Sequence, residues 1–156
     1  MMAAGGLEML AALETSRLAE AIRGSVWTYP LLETAHIASF AALIGSVLLF
    51  ELRVFGVARA IGVVPLARLA LRTALIAFAC AAISGALLFI PSATELAAHP
   101  AFQVKLVLIL IAGLNAAVFH LRGGVRGHDA VARLQAMVSL VLLLAVLAAG
   151  RLIAYL

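Results

Sequence analysis

The chain has 156 residues, of which 66% are hydrophobic and only 12% are charged, and its mean hydropathy is +1.21. So few charges cannot cover the surface of a soluble domain of this size, whereas lipid tolerates an apolar exterior, so the composition predicts one integral membrane domain. The net charge of +4 comes from arginines scattered along the chain rather than from a basic patch, which argues against a nucleic-acid partner.

Residues 1–26 alternate apolar and charged side chains at helical spacing. Glu8, Glu14 and Glu20 interrupt the apolar positions, and no basic segment precedes them, so a cleaved signal peptide is not expected. The pattern predicts an amphipathic helix that lies in the membrane interface and ends near Gly24.

Four apolar segments follow, at residues 29–52, 66–90, 102–121 and 131–155. Each has about 20 to 25 residues, enough to cross about 30 Å of hydrocarbon as a helix. Single strands cannot satisfy their backbone hydrogen bonds in lipid, so all four are expected to be helices. The predicted fold is all-α: an integral membrane antiparallel four-helix bundle at 27–156, preceded by the amphipathic interfacial helix at 1–26.

The arginines predict the orientation of the bundle. Seven of them flank the first and third connections, and the middle connection at 91–100 has no Lys or Arg. Lys and Arg are enriched in cytoplasmic loops, so both termini and the middle connection are predicted on the outer, periplasmic side of a bacterial inner membrane. The seven are Arg53, Arg59, Arg68, Arg72, Arg122, Arg126 and Arg133.

Small side chains recur at helical spacing in three segments, which predicts close packing of the helices. They exceed what one four-helix core requires, so a homo-oligomer is also expected. The second segment carries Ala70, Ala74, Ala77, Ala81 and Ser84, the first Ala38, Ala42 and Gly45, and the third Ala112, Gly113 and Ala116.

Glu33 and His36 lie three residues apart near the outer end of the first segment. An ionisable residue inside a span suggests a functional site, and a carboxylate at this spacing can orient an imidazole and raise its basicity. The alternative is a solvated Glu33 and a His36 that hydrogen-bonds a neighbouring helix.

Other polar residues offer partners for His36. Lys105 is at a similar depth and can pair with an anion or extend to the interface, and His99 in the outer loop is the better-placed second ligand. Asn115 near mid-membrane is expected to donate an interhelical hydrogen bond. His120 lies about 20 Å from His36 along the bundle axis, so the two cannot bind one iron.

Fewer candidate site residues are predicted at the inner end of the bundle. His120 and His128 are candidates for a separate inner site, although His128, in a Gly-rich loop, is most simply a surface residue. Glu51 and Arg53 lie at the inner boundary, where long side chains extend to water without any chemical role.

Three patterns resemble an uncharacterised bacterial family of small four-helix inner-membrane proteins: W-x-Y-P-x-x-E-x-x-H at 27–36, E-L-R-x-x-G at 51–56, and A-F-x-x-K followed by N and F-H at 101–120. The family resembled has Asp where this chain has Glu51. It is distantly similar to the copper-resistance D proteins (CopD) and the HemJ-type haem-pathway oxidases. The resemblance implies redox or metal chemistry near His36, with Lys105 as a partner.

Three functions follow as hypotheses. In the first, the bundle binds a redox cofactor, haem b, with His36 as axial ligand, Glu33 orienting it, Lys105 opposite the cofactor carboxylates and His99 as second ligand, and it exchanges electrons with a membrane redox partner. In the second, His36 and His99 bind copper or another metal ion for transport, although Cys80 is alone and the methionines do not cluster. In the third, the chain is a structural or assembly subunit without cofactor.

Overall fold

A computed structural model describes residues 2–57, 59–122, 130–153 and 155, with side chains from residue 5 onward. All regular structure in these residues is helical, as predicted. Four of the described helices are long and apolar enough to cross a membrane, which confirms the four predicted segments. The helices are α1 (Met2–Glu14), α2 (Arg17–Gly24), α3 (Thr28–Val54), α4 (Val63–Phe89), α5 (Ala93–Ala98), α6 (Pro100–Leu121) and α7 (Ala130–Leu152).

Gly56 ends α3 in the left-handed conformation, with φ +91°. The Gly56 N–H donates to the Arg53 carbonyl at 3.1 Å, and the Val57 N–H donates to the Leu52 carbonyl at 2.9 Å. This pair of bonds is a Schellman motif, which satisfies carbonyls that have no partner at a helix end. A glycine is therefore required by the turn that begins the connection to α4.

Proline residues lie at both ends of the connection between α4 and α6. Pro91 lies in a 3-10 turn, Ile90–Ser92, that follows α4 and leads into α5. Pro100 is the first residue of α6, where its missing N–H leaves no helical hydrogen bond unmade. The chain therefore makes a short helical connection here.

Residues 2–24 form two helices where the sequence predicted one. The Thr15 hydroxyl donates to the Ala11 carbonyl at 3.0 Å and ends α1, and the extended Ser16 accepts from the Ala19 N–H at 3.2 Å. Ser and Thr side chains bond readily to nearby backbone and favour caps over helix interiors. The break at these two residues lets α2 turn away from α1.

Two polar contacts fix the N-terminal helices to the connection between α4 and α6. The Glu14 Oε1 accepts from the Thr94 N–H at 2.9 Å and from the Thr94 hydroxyl at 2.8 Å. The Arg23 guanidinium donates to the Pro91 carbonyl at 2.9 Å and to the Glu14 carbonyl at 2.6 Å. These contacts hold α1 and α2 across one end of the long helices.

The Thr94 N–H, then its hydroxyl, and to a smaller extent Arg23, hold the pKa of Glu14 below its ordinary value. The stability that this carboxylate contributes is therefore complete above its unfolded-state pKa and is lost as pH falls through the lowered one. Backbone amides of α1 are expected to exchange with deuterium faster at about pH 3 than at about pH 6, after correction for intrinsic rates. Glu14→Gln should remove this pH dependence while Glu8→Gln, on an exposed position of the same helix, keeps it. Equal pH dependence in both variants would contradict the assignment.

Small residues of α4 form its buried face. The predicted series Ala70, Ala74, Ala77, Ala81 and Ser84 is buried throughout, together with Ala67. Short side chains let a neighbouring helix backbone approach closely, and α4 packs most extensively against α3. The seam predicted for the second segment is therefore confirmed.

The small residues of the first and third segments do not belong to the core. Ala38 and Ala42 are exposed and Gly45 is only partly covered, whereas α3 buries Leu43, Ser46, Phe50 and Glu51. Gly113 and Ala116 on α6 are also exposed. The prediction that these stripes pack inside one bundle was wrong, because the larger side chains of α3 fill the groove beside the alanines of α4.

Two apolar clusters link the helices. The first joins Phe50 of α3 to alanines of α4 and α7 and to Phe119 of α6, and the two phenyl rings meet edge to face with centroids 5.8 Å apart. The second joins Leu43 of α3 to Ala74, Ala77 and Leu143. Between α6 and α7, the Asn115 Nδ2 donates to the Gln135 carbonyl at 2.9 Å, which confirms the interhelical bond predicted for Asn115.

Candidate functional site

His36 lies in the third turn of α3 and directs its imidazole to α4. Its Nδ1 is 3.0 Å from the Ala81 carbonyl oxygen and 3.0 Å from the Ser84 Oγ. The Ser84 hydroxyl donates its own proton to a carbonyl, that of Cys80 at 2.7 Å. Both neighbours of Nδ1 therefore offer lone pairs, and this network assigns the imidazole proton to Nδ1.

The small residues of α4 make room for this ring. A Cβ on Gly85 would lie 3.0 Å from the His36 Cε1 and 3.4 Å from its Nδ1. Gly85 therefore belongs to the site, since any side chain there would push the imidazole away from its hydrogen bonds. The small residues of α4 that let α3 approach closely therefore also leave the space in which the His36 imidazole lies.

The other ring nitrogen, Nε2, carries the lone pair of this tautomer. In the described part of the chain, every hydrogen bond of His36 is made through Nδ1. Histidines that bind metals usually donate their second ring N–H to a carbonyl or carboxylate, which fixes the tautomer and the orientation of the ring. His36 is oriented in this way, by a backbone carbonyl of the neighbouring helix.

Lys105 is half-buried on α6 and packs against α7. A Cβ on Gly150 would lie 3.3 Å from the Lys105 Nζ and 3.6 Å from its Cε. The absence of a side chain at Gly150 therefore leaves room for the ammonium group. The ammonium is also close enough to His36 for its charge to act on the imidazole. His36 and Lys105, which belong to two different pairs of helices, therefore interact through charge, whereas the hydrogen bonds described for His36 are made to α4.

Glu33 and His99 lie differently from what the sequence suggested. Glu33 is exposed, and the hydrogen bonds that orient His36 come from Ala81 and Ser84 on α4 rather than from this carboxylate. The His99 Nδ1 accepts from the Ala101 N–H at 3.2 Å, so His99 is the cap of α6. With Nδ1 as the acceptor, the neutral ring carries its proton on Nε2, so His99 can bind a metal ion only if it gives up this cap.

At the far end of α6, His120 is exposed, with its Nδ1 2.7 Å from the Ala116 carbonyl and its ring edge-on to Phe119. The second residue of the predicted inner site, His128, lies outside the described residues. Arg53 donates from Nε to the Ile61 carbonyl at 2.9 Å and so stabilises the connection after α3.

Glu51 is buried in the structure, whereas the sequence predicted that it extends to water. Its side chain is only 2% exposed, and neither carboxylate oxygen has a hydrogen-bond partner. The interpretation that Glu51 extends to water at the membrane boundary was wrong. The available signal was its spacing of four and seven residues from Val47 and Ile44, two partly buried residues that pack against an apolar cluster.

Groups of three or more His, Cys, Asp or Glu that could hold a metal ion are absent from the described residues. No protein-family model, curated protein or solved structure matches this chain. The functional argument therefore rests on the geometry around His36 and Lys105.

Proposed function

We propose that this protein is a multi-pass protein of a bacterial inner membrane, with α3, α4, α6 and α7 crossing the bilayer as an antiparallel bundle. Pairings along the helices support alternating directions: His36, early in α3, bonds Ser84 late in α4, whereas Asn115, late in α6, bonds α7 near its start. The arginines beside the α3–α4 connection favour the cytoplasmic side for it. The His36 end of the bundle then faces outward.

The function proposed for the outer half is the binding of a redox cofactor, haem b, through His36. The single observation that carries this proposal is the Nδ1 of His36 held against the Ala81 carbonyl, because it leaves Nε2 as a pre-oriented ligand. Haem iron requires only one or two protein ligands, so the donors present fit this group although no three-residue metal cluster exists among the described residues.

In this proposal each residue has a separate role. His36 holds the iron through Nε2, Ser84 and Ala81 keep its ring in place, and Lys105 neutralises a carboxylate of the cofactor. The bound haem would supply one-electron redox chemistry in a medium where the protein side chains alone cannot. His99, at the start of α6, is the candidate for a second ligand, and binding through its Nε2 would require the proton to move to Nδ1 and the cap bond from the Ala101 N–H to break.

The test is the visible absorption spectrum of the protein purified in mild detergent from haem-replete cells, oxidised and then reduced with dithionite. A Soret band of about one haem per chain, with sharp bands after reduction, is the expected result. His36→Ala should remove these bands, and Lys105→Met should weaken haem retention because an apolar side chain of similar length cannot pair with a carboxylate. A His120→Ala variant should retain the spectrum.

Glycine variants provide a matched control. Gly85→Ala is expected to reduce haem content about tenfold or more, because the new methyl group would meet the His36 ring at 3.0 Å. Gly113→Ala adds the same methyl group to α6, where nothing lies within 4 Å, and should leave the spectrum unchanged.

Two outcomes would overturn the proposal. A colourless protein that contains stoichiometric copper would indicate metal binding instead, and a colourless protein without metal would indicate a structural role. Equal loss of haem in the two glycine variants would show that haem binding does not depend on the position of the His36 ring.

A further inference from the structure

The second site lies at the opposite end of the bundle, around Glu51. Its position is fifteen residues after His36, which on a helix corresponds to roughly 22 Å. Both carboxylate oxygens are sealed from solvent and have no hydrogen-bond partner. The Ser139 side chain of α7 is the polar group close enough to influence the carboxylate, although it forms no regular hydrogen bond with it.

An apolar cluster lies at the same level of the bundle. Phe50, the neighbour of Glu51, packs with Phe119 and with Ala67 of α4, and Val54 lies against the same cluster. These groups come from α3, α4 and α6, while Ser139 comes from α7. Glu51 therefore lies at the level of the bundle where all four long helices meet.

None of the charged or titratable groups that the structure describes near this end donates a hydrogen bond to Glu51. Arg53 on α3 is bonded to the Ile61 carbonyl, and His120 on α6 is exposed beside the Ala116 carbonyl. The arginines of the other elements in this region are exposed: Arg68 and Arg72 on α4, Arg122 at the end of α6, and Arg133 on α7.

An ionised carboxylate in this position would be sealed from water and would have no hydrogen-bonded counter-charge among the described residues. Such an anion is strongly unfavourable inside a protein, and more so within a bilayer, unless a cation neutralises it. A bound proton needs no further ligands, whereas a metal cation would require several oxygen atoms around it. Among the described residues, the Ser139 hydroxyl is close to Glu51 and neither carboxylate oxygen has a hydrogen-bond partner, so the site favours the proton.

We propose that Glu51 is a proton-binding site, a neutral carboxylic acid inside the bundle that exchanges its proton with the aqueous phase beside the α3–α4 connection. Glu51 lies within one turn of the end of α3, so the route to that phase is about 5 Å long. The proposal is independent of haem binding, because the two sites lie at opposite ends of α3.

Dicyclohexylcarbodiimide tests the proposal directly, because this apolar reagent partitions into membranes and reacts with protonated carboxyl groups. The acid O–H adds across one C=N bond of the reagent, and the resulting O-acylisourea rearranges to a stable N-acylurea. In the full-length protein at neutral pH, mass spectrometry is expected to find one label per chain on Glu51. The rate of labelling should fall as pH rises, about tenfold per unit once the acid is mostly ionised.

Glu51→Gln should abolish the label, and Glu95→Gln, which changes an exposed carboxyl on α5, should not. A second measurement avoids any dependence on the variant's folding. Infrared spectra of the wild-type protein should show the carbonyl stretch of a protonated carboxylic acid, shifted by carbon-13 glutamate and lost at high pH.

Several results would overturn the proposal: absence of the carbonyl band at neutral pH, or labelling that does not change with pH. Protection from the reagent by NaCl but not by choline chloride at constant pH would identify Na⁺ as the ligand instead. Haem content plays no part in these readouts, so failure of this proposal and failure of the haem proposal are distinguishable.

Discussion

Phe50→Ala is expected to lower the free energy of unfolding by about 3 kcal/mol. The Phe50 ring is 6% exposed in the cluster that joins α3 to the other three long helices, and it meets Phe119 edge to face. Lipid reduces the hydrophobic part of this loss, because an unfolded helix in a bilayer is already out of water, but the cavity and the lost contacts remain. Reversible unfolding in mixed micelles of increasing dodecyl sulfate content measures the change.

Phe78→Ala is the matched control for this experiment. Phe78 lies on α4 and is 47% exposed, so its removal creates no cavity and should change the free energy of unfolding by less than about 1 kcal/mol. Equal losses in the two variants would mean that the apolar cluster around Phe50 does not hold the four helices together.

Ala77→Leu is expected to destabilise the protein by about 1–3 kcal/mol, through excess volume rather than a cavity. Ala77 is 6% exposed and packs in the cluster that contains Leu43 and Leu143, where three added carbon atoms have no space. The variant should separate α3 from α4 and, because Ala81 and Ser84 lie one and two turns further on, loosen the site of His36 as well.

The control is Ala79→Leu, on an exposed position two residues away on the same helix. Leucine there meets no described core residue and has similar helix propensity, so both stability and spectrum should stay near those of the wild type. A larger loss of stability in Ala79→Leu than in Ala77→Leu would indicate that the exposed face of α4 is itself an interface.

Much of the fold was predictable because its causes are local in the sequence. The lengths of the apolar segments, the prolines at 91 and 100 and the series of small residues in α4 each act within one helix, and the structure bears them out. The break at Ser16 was not predicted. A serine between Glu14 and Arg17 is equally compatible with the polar face of one continuous helix.

The site was only partly predictable, because its contacts depend on how helices pair. His36 and Lys105 were identified from their chemistry in apolar segments, and both turned out to be near one another. The importance of Gly85 and Gly150 was missed, because a glycine in a helix gives no indication of which side chain fills the space beside it. Glu51 was misjudged for the same reason, since depth along a helix does not reveal which face is covered.

The bond between Glu14 and Thr94 also constrains how the protein is made. Its two partners are 80 residues apart, so a nascent chain has completed α4 before its first two helices find their place. During that interval the amino-terminal segment remains undocked and open to proteases or targeting factors. Docking of α1 and α2 therefore follows, rather than precedes, the synthesis of α3 and α4.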